Sequence, residues 1–189
     1  TDILENGSLN SYFGTGGFAA FQIDSLTQAN SVALQSDGKI VVGGYTGVQN
    51  NGKFCVVRFN QDGDLDLTFG DNGFARTSFS GVRNEATAIC IQPDGKIIAA
   101  GTTTNGAKQR VAIARYLTDG SLDEAYFGND GRIEYDFGGD ILVSDLILYP
   151  DTRIIFSGTY FGNSAYTMRL KNGEPFVSLA GFDSTVVRC

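Results

Sequence analysis

Short apolar runs separated by turns rich in Gly, Asp and Asn fill this chain. The runs "SVALQ" (31–35), "KIVVGGY" (39–45), "FCVVRF" (54–59) and "GFARTSF" (73–79) are rich in Val, Ile, Phe and Tyr, which is typical of strands. The first two are joined by "SDGK", a tight hairpin turn in which Gly38 supplies the positive φ. No stretch repeats apolar residues at helical spacing. The pattern predicts four antiparallel strands from about 24 to 80.

The same order of features recurs along the chain. The turn residues Asp37, Asp94 and Asp151 are each 57 positions apart. A phrase is also repeated, as "NGSLNSYFGTGGF" (6–18), "DGDLDLTFGDNGF" (62–74) and "DGSLDEAYFGNDGR" (119–132). A period of this length is typical of solenoids, propellers or arrays. Because each period contains four short strands and no helix, we expect each one to be a blade of a β-propeller.

The motifs resemble those of the bacterial delta-60 β-propeller repeats. One motif is Q-x-D-G-K-I, with a glycine four residues after the isoleucine. A second is R-[FY]-x-x-D-G, which is followed by L-D and then by F-G. The resemblance runs from about Asn6 to Gly173, and it is specific in the first two repeats. The third departs from it, with Asp151-Thr152 in place of Asp-Gly. The resemblance implies a propeller and no particular chemistry.

The predicted fold class is all-β, with three four-stranded antiparallel repeats in one domain spanning 1–189. The repeats are placed at about 24–80, 81–137 and 138–189, with 1–23 supplying a preceding turn and outer strand. Three blades cannot close a ring by themselves. The chain is therefore expected to dimerise into a six-bladed ring, to belong to a longer propeller, or to cap its open faces. Since 17–23 reads as a fourth strand without its own blade, we expect it to complete a third blade, in the same chain or in a homodimer partner.

Charge and composition exclude several classes of function. The net charge is −7, which disfavours a nucleic-acid partner, and no apolar run is long enough to cross a membrane. Histidine is absent, so His-dependent triads and histidine metal sites are excluded. Cys55 and Cys90 are expected to be buried strand residues. No metal or cofactor is expected, and an exported or cell-surface location in a bacterium is one open alternative.

Some repeated residues are expected to be structural. The aromatic residues of the phrase should seat between neighbouring sheets, and the arginines of the third strands should pair with carboxylates such as Asp66 or Asp123. An arginine ring around a ligand is the alternative. A calcium loop in 62–73 is disfavoured, because the sixth and twelfth positions are Leu67 and Gly73. The repeated positions are Arg58, Arg115 and Arg169 and Phe13, Phe69 and Phe127.

Function is expected where the repeats disagree. In a four-stranded blade, the loops after the second and fourth strands share one rim, and loops on a rigid scaffold commonly carry binding. The predicted role is a non-catalytic module that offers this rim to a protein or glycan. The alternatives are a hydrolase or lyase using Asp24, Glu85 and Asp140, and a purely structural segment of a larger surface protein. The candidate rim residues are Asp24, Gln28, Arg83, Glu85, Lys108, Arg110, Asp140, Tyr160 and Phe161.

Overall fold

The computed structural model describes residues 2–23, 27–47, 51–149, 153–160, 164–171 and 174–176. Its strands form three antiparallel four-stranded sheets in chain order, as the sequence predicts. The first sheet contains β1 (Thr27–Leu34), β2 (Ile40–Thr46), β3 (Lys53–Phe59) and β4 (Phe74–Thr77). The second contains β5 (Arg83–Ile91), β6 (Ile97–Thr104), β7 (Gln109–Tyr116) and β8 (Arg132–Tyr135). The third contains β9 (Ile141–Leu148), β10 (Ile154–Tyr160), β11 (Ser164–Lys171) and β12 (Glu174–Phe176).

A β-bulge recurs at the same place in the first strand of each sheet. The register shifts between Ala29 and Ser31 in β1 and between Ala86 and Ala88 in β5. In β9 the residues opposite the shift are Val143 and Asp145. A bulge redirects one side chain out of the regular alternation. The three sheets therefore share a detail that the apolar pattern alone does not predict.

Two hydrophobic clusters join the sheets face to face. Phe54 and Val56 of the first sheet pack with Ala112 and Ala114 of the second. On the other face of the second sheet, Ile113 and its neighbours pack against the third sheet. In the described part of the chain these clusters link the first sheet to the second and the second to the third. The second sheet thus lies between the other two.

The aromatic residues of the repeated phrase lie at these interfaces. Phe69 is fully buried between the first and second sheets, and Phe127 is buried between the second and third. Phe127 begins one turn of π-helix, Phe127–Gly131. Phe13 is also buried.

The N-terminal segment differs from the strand predicted for 17–23. Phe18 makes only isolated bridges to Gly14 and Thr15, and residues 19–23 pair with no strand in the described structure. Instead Ala19, Phe21 and Ile23 pack on the outer face of the first sheet. The segment does not complete the third sheet of its own chain, which lies on the far side of the second sheet.

The fourth strand of the third sheet also differs from its counterparts. β4 and β8 pair with 54–57 and 111–114, whereas β12 pairs with Arg169–Lys171 at the end of β11. Leu170 lies opposite Pro175, where the other two repeats have single bridges to Leu65 and Leu122. β12 therefore corresponds to the start of the repeated phrase and not to the outer strands of the other sheets.

Candidate functional site

The loops expected to form one rim do meet on one side of the sheets. The Gly52 N–H donates to the Val82 carbonyl at 3.0 Å, and the Val82 N–H donates to Thr104 at 2.9 Å. Farther along, the Gln109 N–H donates to Asp140 Oδ1 at 3.1 Å. Loops from neighbouring repeats are therefore hydrogen-bonded to each other. We call this side the variable rim; it comprises 27–28, 45–47, 51–52, 78–85, 104–110, 134–141 and 160.

Several charged side chains of the variable rim are paired with one another. Arg83 lies 2.5 Å from Glu85. Arg110 lies 3.3 Å from Asp136 and 3.7 Å from Glu134. A hydrogen bond from the Gly138 N–H lowers the pKa of Asp136, and Arg110 lowers it further. The rim thus presents alternating positive and negative groups that are held in place by their neighbours.

Ser80 extends this network to the end of the first repeat. Its N–H and its hydroxyl each donate to the Glu134 carboxylate at 2.5 Å. Arg110 donates to Ser80 Oγ at 3.2 Å. Glu134 therefore ties the loop after β4 to the second sheet.

The other predicted rim residues are distributed along the same edge. Gln28 accepts a hydrogen bond from the Tyr45 hydroxyl at 2.9 Å, and Tyr160 donates its hydroxyl proton to Phe137 at 2.9 Å. Lys108 is exposed. Asp24 and Phe161 lie outside the described residues.

A buried polar network beneath the rim was not anticipated. Asn84 donates to the Gly52 carbonyl at 2.6 Å and accepts from the Thr103 hydroxyl at 2.6 Å. Thr103 Oγ in turn accepts the Gly81 N–H at 3.1 Å. Because buried polar groups require partners, this network fixes the loops of two repeats together. Its only sequence signal is a polar residue, Asn84, at the start of a strand.

The repeated arginines pair with carboxylates, as the sequence predicts for Arg58 and Arg115. Arg58 Nε lies 2.7 Å from Asp66 Oδ2, and Arg115 lies 2.7 Å from Asp123. Both arginines also cover an aromatic ring, with Arg58 4.5 Å from the centre of Phe69. The Arg169 side chain lies outside the described structure. These arginines lie at the ends of the strands that are farther from the variable rim. We call this side the opposite rim; it carries the hairpin turns and the repeated phrase, and there the arginines hold the phrase against the third strand.

The electrostatics of these pairs favour ionised carboxylates. Burial alone would raise the pKa of Asp66, but hydrogen bonds from Lys39, Thr68 and Arg58 outweigh it and leave that pKa well below its usual value. Asp123 shows the same balance, with Lys96 in the place of Lys39. The carboxylates of both pairs are therefore held in the charged form.

The segment that superficially resembles a calcium loop forms a turn. Asp62 Oδ1 accepts the Asp64 N–H at 3.1 Å, and Asp66 is committed to Arg58 and Lys39. Among the described residues, no cluster of three Asp, Glu, His or Cys side chains has the geometry of a metal site.

The carboxylates considered for catalysis are engaged separately. Glu85 is held by Arg83 and Asp140 by the Gln109 N–H. Neither cysteine described in the structure is an activated nucleophile, because Cys55 is buried and burial raises the pKa of the Cys90 thiol to about 12.

Comparisons with known proteins bear on the architecture. A family model described as "Domain of unknown function (DUF5122) beta-propeller" matches residues 35–69 and 92–126. The matches start one repeat apart, and each runs from the Gln of the first hairpin into the repeated phrase. These two segments resemble β-propeller repeats, and they lie in the first and second sheets. The third sheet is also antiparallel and four-stranded, and the three sheets are called the first, second and third blades below.

One similar solved structure is a catalytically inactive virginiamycin B lyase from Staphylococcus aureus with quinupristin. The identity is 13% and the TM-score 0.35, over 77% of this chain and 56% of that chain. This chain thus spans little more than half the length of that structure. No curated protein matches the chain.

Proposed function

We propose that the chain is a non-catalytic binding or scaffold module, built from delta-60-type repeats, that presents its variable rim to a protein. The observation that carries the proposal is the contrast between the two rims. On the opposite rim the same turns and the same arginine–carboxylate pairs recur in the first two blades. On the variable rim, each described blade presents different side chains on loops that are hydrogen-bonded to a rigid stack.

Charge favours a protein over a glycan as the partner. Positive and negative groups alternate along the rim, with Arg83, Lys108 and Arg110 interspersed among Glu85 and Asp140. Such alternation suits electrostatic complementarity with a folded partner. A glycan site would instead need exposed aromatic faces, whereas Tyr45 and Tyr160 on this rim are partly buried.

The proposal is tested by inverting one charge on each rim. Asp140→Lys changes the variable rim, and Asp71→Lys makes the same change on the opposite rim, so both variants have the same net charge. Immobilised wild-type chain would be incubated with proteins extracted from the source organism, and the bound proteins would be identified by mass spectrometry. The wild-type chain would also be screened on a glycan array. The dissociation constant of each ligand found would then be measured for the wild type and both variants.

We expect a protein ligand whose dissociation constant rises at least about tenfold with Asp140→Lys, equivalent to 1.4 kcal/mol, and stays within about twofold with Asp71→Lys. Equal loss in both variants would contradict a rim-specific site. A glycan as the sole ligand would contradict the protein partner.

A further inference from the structure

The loop between β6 and β7 carries an Asn–Gly pair, Asn105–Gly106, on the variable rim. The side-chain amide of an asparagine that precedes glycine is open to attack by the backbone nitrogen of that glycine, because glycine has no Cβ to block the approach. The chain contains five Asn–Gly pairs. Four of them lie in the described residues, at 6–7, 51–52, 72–73 and 105–106.

In three of these four pairs a backbone carbonyl holds the nitrogen that would attack. The hydrogen bonds run from the Gly7 N–H to Leu4 at 2.8 Å, from the Gly52 N–H to Val82 at 3.0 Å and from the Gly73 N–H to Phe69 at 2.7 Å. Such a bond must break before the nitrogen can lose its proton, and breaking it requires a local opening of the backbone. The fold therefore protects these three asparagines.

The pair Asn105–Gly106 lacks this protection. The Gly106 N–H donates to the Thr104 hydroxyl at 3.1 Å, and this side chain can rotate away without a change in the backbone. Asn105 and Gly106 are both exposed, and a Cβ added at Gly106 would meet no atom within 4 Å. The loop therefore has room for a ring to form and for water to reach it.

The side chain of Asn105 is also turned towards the Gly106 nitrogen. Its Oδ1 accepts the Ala107 N–H at 3.2 Å, which bends the side chain back over the peptide bond to Gly106. The same hydrogen bond stabilises the negative charge that develops on Oδ1 when a nucleophile attacks Cγ. Asn6 forms the same kind of turn with the Ser8 N–H at 3.0 Å, so these two exposed pairs differ chiefly in the backbone bond of Gly7.

We propose that Asn105 is a site of spontaneous modification, in which its side-chain amide is converted to a carboxylate. The Gly106 nitrogen loses its proton and bonds to Cγ of Asn105, and the Cγ–Nδ2 bond breaks and releases ammonia. Water then opens the resulting succinimide ring at either of its two carbonyls, which gives aspartate or isoaspartate. Water is the only other reactant, and no oxidant or reductant is needed.

The modification changes the variable rim in two ways. It adds one negative charge to a loop whose next charged residues along the chain, Lys108 and Arg110, are both positive. Isoaspartate also adds one carbon to the backbone between β6 and β7. The chemistry at Asn105 does not depend on the proposed function, whereas any effect on partner binding rests on it.

Peptide mass spectrometry of the aged chain tests the proposal. The folded full chain would be kept at neutral pH, sampled over several weeks and digested with trypsin. The tryptic peptide 97–108 contains Asn105 and no other asparagine, so the exchange of NH₂ for OH is read directly from its mass. We expect Asn105 to convert at least about tenfold faster than Asn6, Asn51 and Asn72, and faster still as the pH rises, because the attacking nitrogen must lose its proton.

Two controls identify the cause. Gly106→Ala places a Cβ beside the attacking nitrogen and should slow the conversion of Asn105 at least about tenfold, with Asn6 unchanged; circular dichroism verifies that this variant is folded. In guanidinium chloride that unfolds the chain, the four pairs should convert at similar rates, because the protecting backbone bonds are lost.

An Asn105 that stays intact in the folded chain would overturn the proposal. Conversion of Asn6, Asn51 or Asn72 in the folded chain as fast as that of Asn105 would overturn it as well, as would a rate that Gly106→Ala leaves unchanged. None of these measurements uses a binding partner, so their failure is distinct from failure of the proposed function.

Discussion

At the scale of single residues, Arg58 makes several contacts in addition to its ion pair with Asp66. Arg58 is buried against Asp66, covers the ring of Phe69, and donates to the Thr118 carbonyl of the next blade at 2.5 Å. Removing one partner of such a pair leaves the other charge buried and uncompensated. The pair therefore holds the third strand, the phrase and the neighbouring blade together.

Replacing this arginine should be costly. Arg58→Ala is expected to lower the free energy of unfolding by about 3 kcal/mol, as removal of one member of a buried ion pair typically does. Arg83→Ala removes an exposed pairing with Glu85 and should cost at most about 1 kcal/mol. Urea unfolding monitored by circular dichroism measures both. Equal costs for the two variants would show that burial does not set the value of the Arg58 pair.

These pairs could be predicted from the sequence, because Arg58 and Asp66 recur at the same spacing as Arg115 and Asp123. The network of Asn84, Gly52 and Thr103 could not. It joins residues that are distant in sequence, and it occurs where the repeats differ, so periodicity gives no guide to it.

At the scale of elements, the repeated phrase works as a connector between blades. Gly120 has a φ of +90°, and a Cβ added there would lie 2.6 Å from the Gly70 nitrogen of the preceding blade. The phrase therefore needs glycine for two reasons, the backbone conformation and the closeness of the next chain segment. Because both requirements recur wherever two blades meet, the phrase is repeated in the sequence.

The two reasons can be separated by experiment. Gly106 has a φ of +92°, but a Cβ there would meet no atom within 4 Å. Gly106→Ala should therefore cost about 1 kcal/mol for the conformation alone, whereas Gly120→Ala should cost at least about 3 kcal/mol because the two blades must also separate. Thermal or urea unfolding measures the difference. A Gly120→Ala variant as stable as Gly106→Ala would mean that the blades do not rely on this close approach.

Strand predictions succeeded where turn residues bracket an apolar run, and they failed at the ends of the array. Residues 17–23 have the composition of a strand, yet residues 19–23 form no strand in the described chain. Composition records which residues suit a strand, whereas pairing depends on a neighbour that the sequence of the segment does not contain.

At the scale of the whole molecule, more than one blade contains a carboxylate whose pKa is lowered in the folded chain. Asp66 and Asp123 lie in different blades, and both have pKa values below the usual range. Unfolding exposes both carboxylates and returns their pKa to about 3.9. The unfolded chain then binds protons more readily than the folded chain in acid.

Acid should therefore destabilise the molecule in a defined direction. The contribution of these carboxylates is complete above the unfolded pKa of about 3.9 and is lost as the pH falls through the folded values. We expect the free energy of unfolding to fall by about 2 kcal/mol between pH 6 and pH 3. Asp123→Asn should make that fall smaller, because it removes one of the carboxylates whose pKa is lower in the folded chain. Urea titrations at each pH provide the measurement, and a pH dependence that Asp123→Asn leaves unchanged would exclude this origin.

The position of residues 6–23 against the first blade has a consequence for how such a chain can change in length. Each phrase and outer strand belongs to one sheet but is bonded to the next, as Gly14 is to Asp62 and Gly70 is to Asp119. An insertion or deletion of one full period can therefore begin at any point of the period, inside a strand as well as in a loop, and still recreate every junction. Genetic gain or loss of a blade would therefore leave the type of contact between neighbouring blades unchanged.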